Sequence, residues 1–266
     1  MAQKYQQRQF GRQLFNNGNM LRFGVAFVQE TTIFREFGPL SGSTMRLSYE
    51  VAPKIGNKFL SRQTFDGEAR KYFRLGATGL FAVRARGFKS AGTSPDYTYF
   101  GGNSELRGYD YLSFIGQNAF YTNAELRFPL IDAMLTPIGV LGGVRATLFA
   151  GMGGAYFDGT PFKFFRTDRT IERPIVDYNR QTQQPIYGRE QVISGRRLVD
   201  GRASYGVSLS TFALGFPVHF DWSWKTLLNK QWEDVVFNQN AVAEGFSSGS
   251  QWFRRPKFSM WIGYDW

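Results

Sequence analysis

The chain alternates. Between residues 119 and 130, Phe120, Thr122, Ala124, Leu126, Phe128 and Leu130 fall on one side, and Tyr121, Asn123, Glu125, Arg127 and Pro129 on the other. A period of two marks a strand, whose successive side chains point to opposite faces. One face here is mostly apolar and the other carries Asn, Glu and Arg. A half-buried soluble sheet reads this way, and so does a membrane barrel strand with lipid on one side and a wet lumen on the other.

The pattern recurs. Met45, Leu47, Tyr49 and Val51 oppose Arg46, Ser48 and Glu50, and Phe81, Val83 and Ala85 oppose Arg84 and Arg86. Tyr205, Val207, Leu209, Thr211 and Ala213 oppose Ser204, Gly206, Ser208 and Ser210. Val218, Phe220, Trp222 and Trp224 oppose His219, Asp221, Ser223 and Lys225. Residues 20–34 and 62–74 read as strands, as does the Gly-rich segment 144–156. The last segment, 257–266, sets Phe258, Met260, Ile262, Tyr264 and Trp266 on one side. With a weaker Gln-rich candidate at 5–15, about ten strands of roughly 9–14 residues are predicted, close to what a tilted strand needs to cross a bilayer.

The connections decide between soluble and membrane folds. Turns are predicted at 38–42, 76–79 and 215–217, with an apolar connection at 131–143. Asn-Gly at 17–18 is a hairpin signal, and 53–60 is a further loop. Long loops lie near 91–117, 158–201 and 226–255. Counting back from the last strand, the long loops share one rim and the short turns the other, which is the outer-membrane plan. A soluble sandwich has no reason to sort its loops so. The expected fold is all-β: an antiparallel up-and-down transmembrane β-barrel spanning residues 1–266.

Composition agrees. The chain has 27 Phe, 13 Tyr and 30 Gly at only 42% hydrophobic residues, because polar lumen positions dilute the lipid-facing ones. All six Trp lie in or between the last two strands, as interfacial girdles require. No apolar run is long enough for a transmembrane helix, and the first residues lack the apolar segment of a signal peptide. The net charge of +11 suits a basic lumen and loops facing anionic headgroups. It does not point to nucleic acid, since the arginines alternate with Leu, Phe and Val instead of clustering.

Candidate chemistry is thin. There is no Cys and a single His, so no thiolate or His-rich metal site is expected, and no cofactor motif is present. Gly245-Phe246-Ser247-Ser248-Gly249 matches G-x-S-x-G but lies in a Ser/Gly-rich loop, not on a strand–turn–helix elbow. His219 shares a face with Asp221 and Ser223, yet positions four apart on one strand are ~13 Å apart. A non-enzymatic protein is expected, and an outer-membrane hydrolase using His219 is the remote alternative. The better-grounded constellation is charge on the inner faces: Arg84, Arg86, Arg107, Glu125, Arg127 and Arg145. Buried charges need partners, and Glu125 is the natural acceptor for an Arg entering the lumen.

The segment GGNSELRGYDYLSFIGQNAFYTNAELRFPL resembles the C-terminal barrel of the BamA/TamA-type outer-membrane assembly proteins, the bacterial surface-antigen family. Leu106-Arg107-Gly108-Tyr109 is similar to that family's V-R-G-F/Y motif, on an extracellular loop that folds back into the lumen. Asn123, Glu125, Arg127, Phe128 and Pro129 are similar to its N-x-E-x-R-F-P strand. Five strands are predicted after the motif loop, as in the family. Gly263-Tyr264-Asp265-Trp266 is similar to the C-terminal recognition signal of outer-membrane barrels. The resemblance implies that this is the C-terminal portion of a sixteen-strand barrel in the bacterial outer membrane. It implies a role in assembly, insertion or translocation of outer-membrane proteins. Lipid, client outer-membrane proteins and periplasmic assembly factors are the implied partners. A passive or substrate-specific channel is the alternative. One departure matters. Where the family's next strand reads F-x-D-x-G, with the Asp gripping the motif Arg, this chain has Phe149-Ala150-Gly151-Met152-Gly153. Arg107 is therefore expected to rest on Glu125 or another acid.

Overall fold

The computed structural model describes residues 18–35, 38–136, 139–173, 175–179, 181–182, 184–213, 216–243, 255–264 and 266. The weak strand at 5–15, Ser247 with its G-x-S-x-G motif, Asp265 and Gly215 of the 215–217 turn lie outside these residues.

In chain order the elements are β1 (Phe23–Glu30), β2 (Ile33–Arg35), β3 (Gly38–Ala52), β4 (Arg62–Leu75), β5 (Gly79–Ala91), β6 (Thr98–Phe100), β7 (Phe114–Gly116), β8 (Asn118–Thr136), β9 (Gly139–Tyr156), β10 (Phe165–Glu172), β11 (Ile175–Tyr178), β12 (Pro185–Tyr187), β13 (Gln191–Leu198), β14 (Arg202–Ala213), β15 (Phe216–Thr226), α1 (Lys230–Ala243) and β16 (Lys257–Ile262). Ten strands form one antiparallel sheet in the order β1-β3-β4-β5-β8-β9-β14-β15-β16, with β2 paired to β3. The sheet is open among the described residues, with β1 and β16 as its edges. The fold class is therefore all-β and antiparallel, as the alternation predicts, and each sheet strand pairs with its neighbour in the meander.

The two faces separate as the alternation requires. In β15 every second residue from Pro217 to Ser223 is buried, while Val218, Phe220, Trp222 and Trp224 are partly exposed on the other face. Val25, Phe27, Leu47, Phe65, Leu148, Tyr205, Val207, Met260 and Ile262 are all exposed. So broad an apolar surface is the lipid-facing band of a membrane strand. No described helix is long and apolar enough to cross a membrane.

Four expectations are corrected. Residues 131–143 are not a connection: β8 continues to Thr136 and β9 begins at Gly139, with Ala133 opposite Gly142 and Met134 opposite Leu141. The run holds Pro137 and three glycines, which read as a connection. Pro129, which has no N–H to give the ladder, sits where the register slips before Ile131. Residues 38–42 are not a turn either. They open β3, and Phe34 of β2 pairs with Pro39. Gly42 has φ +106, and a Cβ there would stand 2.3 Å from the Thr31 carbonyl oxygen, so its glycine serves an irregular strand start.

The loop at 158–201 is not irregular: β10 pairs β13 and β11 pairs β12. The loop at 226–255 opens with α1. Asn229 caps that helix, its Oδ1 accepting from the N–H groups of Gln231 at 3.1 Å and Trp232 at 3.4 Å. Trp232 and Val235 pack on Ile193 of β13, and Phe237 packs with Leu198 and Leu227. An Asn cap followed by apolar residues at i+3, i+6 and i+7 was a readable helix start.

Candidate functional site

The inner face of β5 to β16 is crossed by two lateral rows. One runs Leu80, Arg127, Thr147, Ser208, Asp221, Ser259, and the next Ala82, Glu125, Phe149, Gly206, Ser223, Lys257. On the β14 and β15 side these residues are small. That leaves room for the segment between β6 and β7, which lies against this face.

Leu106 anchors that segment. It is fully buried in a cluster with Phe100, Tyr109, Ala119 and Tyr121. Gly108 has φ +87, where L side chains are strained, and a Cβ would approach the Ser223 Cβ to 3.0 Å. Tyr109 donates its hydroxyl to the Ala203 carbonyl at 3.2 Å. The Lys225 ammonium stands 5.0 Å from the Tyr109 ring centre. Burial pushes the Tyr109 phenol well above its ordinary pKa. Glu105 accepts from the Gly101 N–H at 2.7 Å, yet burial still holds its carboxyl above the usual range.

Arg107 is the centre. Its Nη2 donates to Glu125 Oε1 at 2.8 Å, and its Nε donates to the Asn103 carbonyl at 3.1 Å. The guanidinium lies 4.5 Å from the centre of the Phe149 ring. Phe149 in turn covers Gly206, where a Cβ would meet its ring at 2.5 Å. Glu125 also serves Arg127, whose Nε donates to Oε2 at 2.8 Å. One carboxylate thus holds two buried guanidiniums, one oxygen each, and a second acid is needed to balance the charge. Asp221 of β15 supplies it, fully buried, with Oδ2 3.7 Å from Arg107 Nε. That distance is an ion pair but too long for a hydrogen bond.

The expected partner of Arg107, Glu125, is therefore in place, and Asp221 is the acid that sequence reasoning missed. Its alternation put it on the inner face, but a partner several strands away leaves no local signal. Gly151 cannot take the acid's place. Its absent Cβ leaves space for Asn123 Oδ1, at 2.4 Å from where that atom would be, and for Leu106 Cδ1 at 3.1 Å. Asn123 spends this room by donating to the Glu105 carbonyl at 2.7 Å.

Arg84 joins the loop as well, donating to the Ser104 carbonyl at 2.9 Å and to Glu68 at 2.7 Å. Arg86 makes a two-pronged contact with Asp66. Arg145 is half-buried on β9, outside this cluster.

The chain's last residues are placed differently from expectation. β16 ends at Ile262. The Gly263 N–H donates to the Pro217 carbonyl at 3.1 Å, and the Gly263 carbonyl faces His219 Nε2 at 2.9 Å. Beyond this point the strand alternation stops. Tyr264 is exposed, but Trp266 packs inward on Tyr72, Leu80 and Ala82 instead of joining Phe258, Met260 and Ile262 on the outer face. The Trp266 carbonyl accepts from Arg127 at 3.2 Å. Nor do all the tryptophans serve interfacial girdles: Trp232 is buried under the loop sheet, and Trp261 faces inward. His219 is stacked on Trp261, ring centres 3.8 Å apart, in the manner of a packing residue. No group of three or more His, Cys, Asp or Glu that could hold a metal is present among the described residues.

The site holds and orients a loop against the sheet. No curated protein matches the chain. The family model of the Omp85 superfamily domain matches residues 35–246, well over half the chain. A loop clasped against the inner face of an antiparallel sheet with a lipid-facing outer side is thus found in a chain that belongs to the Omp85 superfamily, outer-membrane proteins of assembly and translocation.

Proposed function

We propose that residues 1–266 form the C-terminal portion of a larger barrel of BamA/TamA type, non-enzymatic, that takes part in assembling or inserting other outer-membrane proteins. The observation that carries the reading is the Arg107 clasp: a loop pinned by a buried ion pair to Glu125 across an open sheet. A pinned loop braces the wall while an edge strand stays free to pair. Among the described residues β16 is such an edge, its outward side chains exposed, and its outer backbone groups would template a client strand by β-augmentation. Lipid surrounds the outer face. Client barrels and periplasmic assembly factors are the proposed partners, and Gly263, Tyr264 and Trp266 the proposed C-terminal recognition signal.

The test is Arg107→Ala in the full-length protein, assayed for insertion of a client barrel into proteoliposomes. The expected outcome is a several-fold loss of insertion with the barrel still folded by heat-modifiable mobility. Unchanged insertion defeats the reading. A parent protein that inserts no client but carries a steady single-channel conductance favours the passive channel.

A further inference from the structure

The loop's second acid also holds the last strand. Asp221 Oδ2, which stands 3.7 Å from Arg107 Nε, accepts the indole N–H of Trp261 on β16 at 2.9 Å. The Arg107 guanidinium lies 5.9 Å from the Trp261 ring centre, and the opposite side of the network is closed by the His219–Trp261 stack. Asp221 is fully buried and His219 nearly so. Three separate parts of the chain therefore meet at one carboxylate: the lumen loop, β15 and the sheet's edge strand. Glu125 and Arg127, also buried on this wall, are bonded to one another.

We infer that Asp221 is a positioning residue that couples the lumen loop to the terminal strand, so that displacing either loosens the other. The argument is one of shared charge. When β16 moves away it takes the Trp261 donor with it, and Asp221 Oδ2 loses the bond that holds it toward Arg107. When Arg107 leaves, the Asp221 charge is stranded beside an indole, and a buried charge without a cation is costly. The indole bond that fixes the carboxylate thus favours the Arg107 contact, the Arg107 charge in turn keeps the carboxylate buried beside the indole, and such coupling is reciprocal by necessity. Had the acid stood at 151 on β9, two strands away from β15, loop and edge would have been held separately. The inference deepens the assembly reading by placing the loop and the templating edge under one control.

The sequence has no cysteine, so Ser204→Cys introduces a single thiol into the 266-residue region. Ser204 is 2% exposed and lies under the loop, its Cβ 3.7 Å from where a Gly108 Cβ would stand. Its alkylation by a water-soluble maleimide therefore reports lifting of the loop. Trp261→Phe removes the indole donor and keeps a ring for His219. Asp221→Asn keeps an acceptor and removes the charge. In the full-length protein each is expected to raise the alkylation rate about tenfold, within the usual range of coupling between sites. The double variant should be no faster than Asp221→Asn alone. If Trp261→Phe leaves the rate at its parent value while Asp221→Asn raises it, the strand is not coupled and the inference fails. Additive effects overturn it as well. Where a variant does not fold, the reverse direction decides: Arg107→Lys, without any thiol, is expected to speed amide exchange in β16, and unchanged exchange overturns the coupling. These readouts need no client, so unchanged insertion with Arg107→Ala defeats the assembly reading and leaves the coupling standing or falling by itself.

Discussion

Two sets of ion pairs line the same face of the sheet and do different work. On β4 and β5, Asp66 holds Arg86, and Glu68 holds Arg70 and Arg84. Their partners are adjacent strands of one hairpin, and water reaches the Asp66–Arg86 pair, whose side chains are 33% and 24% exposed, while Arg84 is buried and also bonds the loop at Ser104. The clasp draws instead on the loop, β8 and β15. Arg107 is 6% exposed and Glu125 2%, while Arg127 and Asp221 are sealed. A half-wet pair trades water for protein at nearly even exchange. A dry one gains little over apolar packing when whole, but costs much when one partner is removed. The ladder decorates a hairpin that forms anyway. The clasp fixes where a distant loop must lie.

Glu125→Gln is the largest break in that contrast. Among the described residues it leaves Arg107 and Arg127 with Asp221 as the remaining buried acid of the cluster, and a loss of about 3–5 kcal/mol in unfolding free energy is expected. Urea unfolding in lipid vesicles, followed by heat-modifiable mobility, measures it. A loss below about 1 kcal/mol, the usual size for a wet pair, would mean that burial does not distinguish the two sets.

How much of this was legible follows the same divide. The ladder, the strands and the inward placement of Glu125, Arg127, His219 and Asp221 all follow from a period of two, which is a local property. The Arg107–Glu125 pair was readable because one Glu lay on the strand that the loop leads into. The Arg107–Asp221 pair was not, since residues 114 apart in sequence meet only through the lateral row that runs from β8 to β15. The β8–β9 extension was lost because Pro137 and the three glycines of 131–143 read as a connection. Trp266 misled because alternation was carried past Gly263, where the backbone turns to bond Pro217 and leaves the strand. The loop hairpins were hidden by Arg and Thr in place of β-forming apolar residues.

Gly151→Asp sharpens the contrast by offering the clasp a third acid. Were charge alone in control, another carboxylate near Arg107 would help. The space is already filled by Asn123 Oδ1 and Leu106, so overpacking should win, with a loss of about 1–3 kcal/mol. The same urea series measures it, and a gain in stability would show that charge outweighs packing here. Asp66→Asn belongs to the ladder and serves as the counterweight. It should cost about 1 kcal/mol or less, and less again in high salt. A loss as large as that of Glu125→Gln would erase the distinction from the other side.

The smallest effect lies at the loop's outer end. Asp110 accepts from the Lys257 ammonium, the first residue of β16, and that bond holds its carboxyl below the ordinary value, with a smaller pull from Lys225. Because the folded value is depressed, the contribution is fully present above the ordinary carboxyl pKa of 3.8 and is lost as pH falls through the lower folded value. The Asp110 side chain is 83% exposed, so the contact is screened and should fade with salt. Amide exchange at the Lys257 end of β16 is the measurement. It should quicken on acidification below the carboxyl range in the parent and lose that acid limb in Asp110→Asn, with neutral behaviour nearly unchanged. If Asp110→Asn loosened β16 at neutral pH as strongly as Asp221→Asn does, an exposed pair would be governing the edge strand, and burial would no longer be what separates a clasp from a decoration.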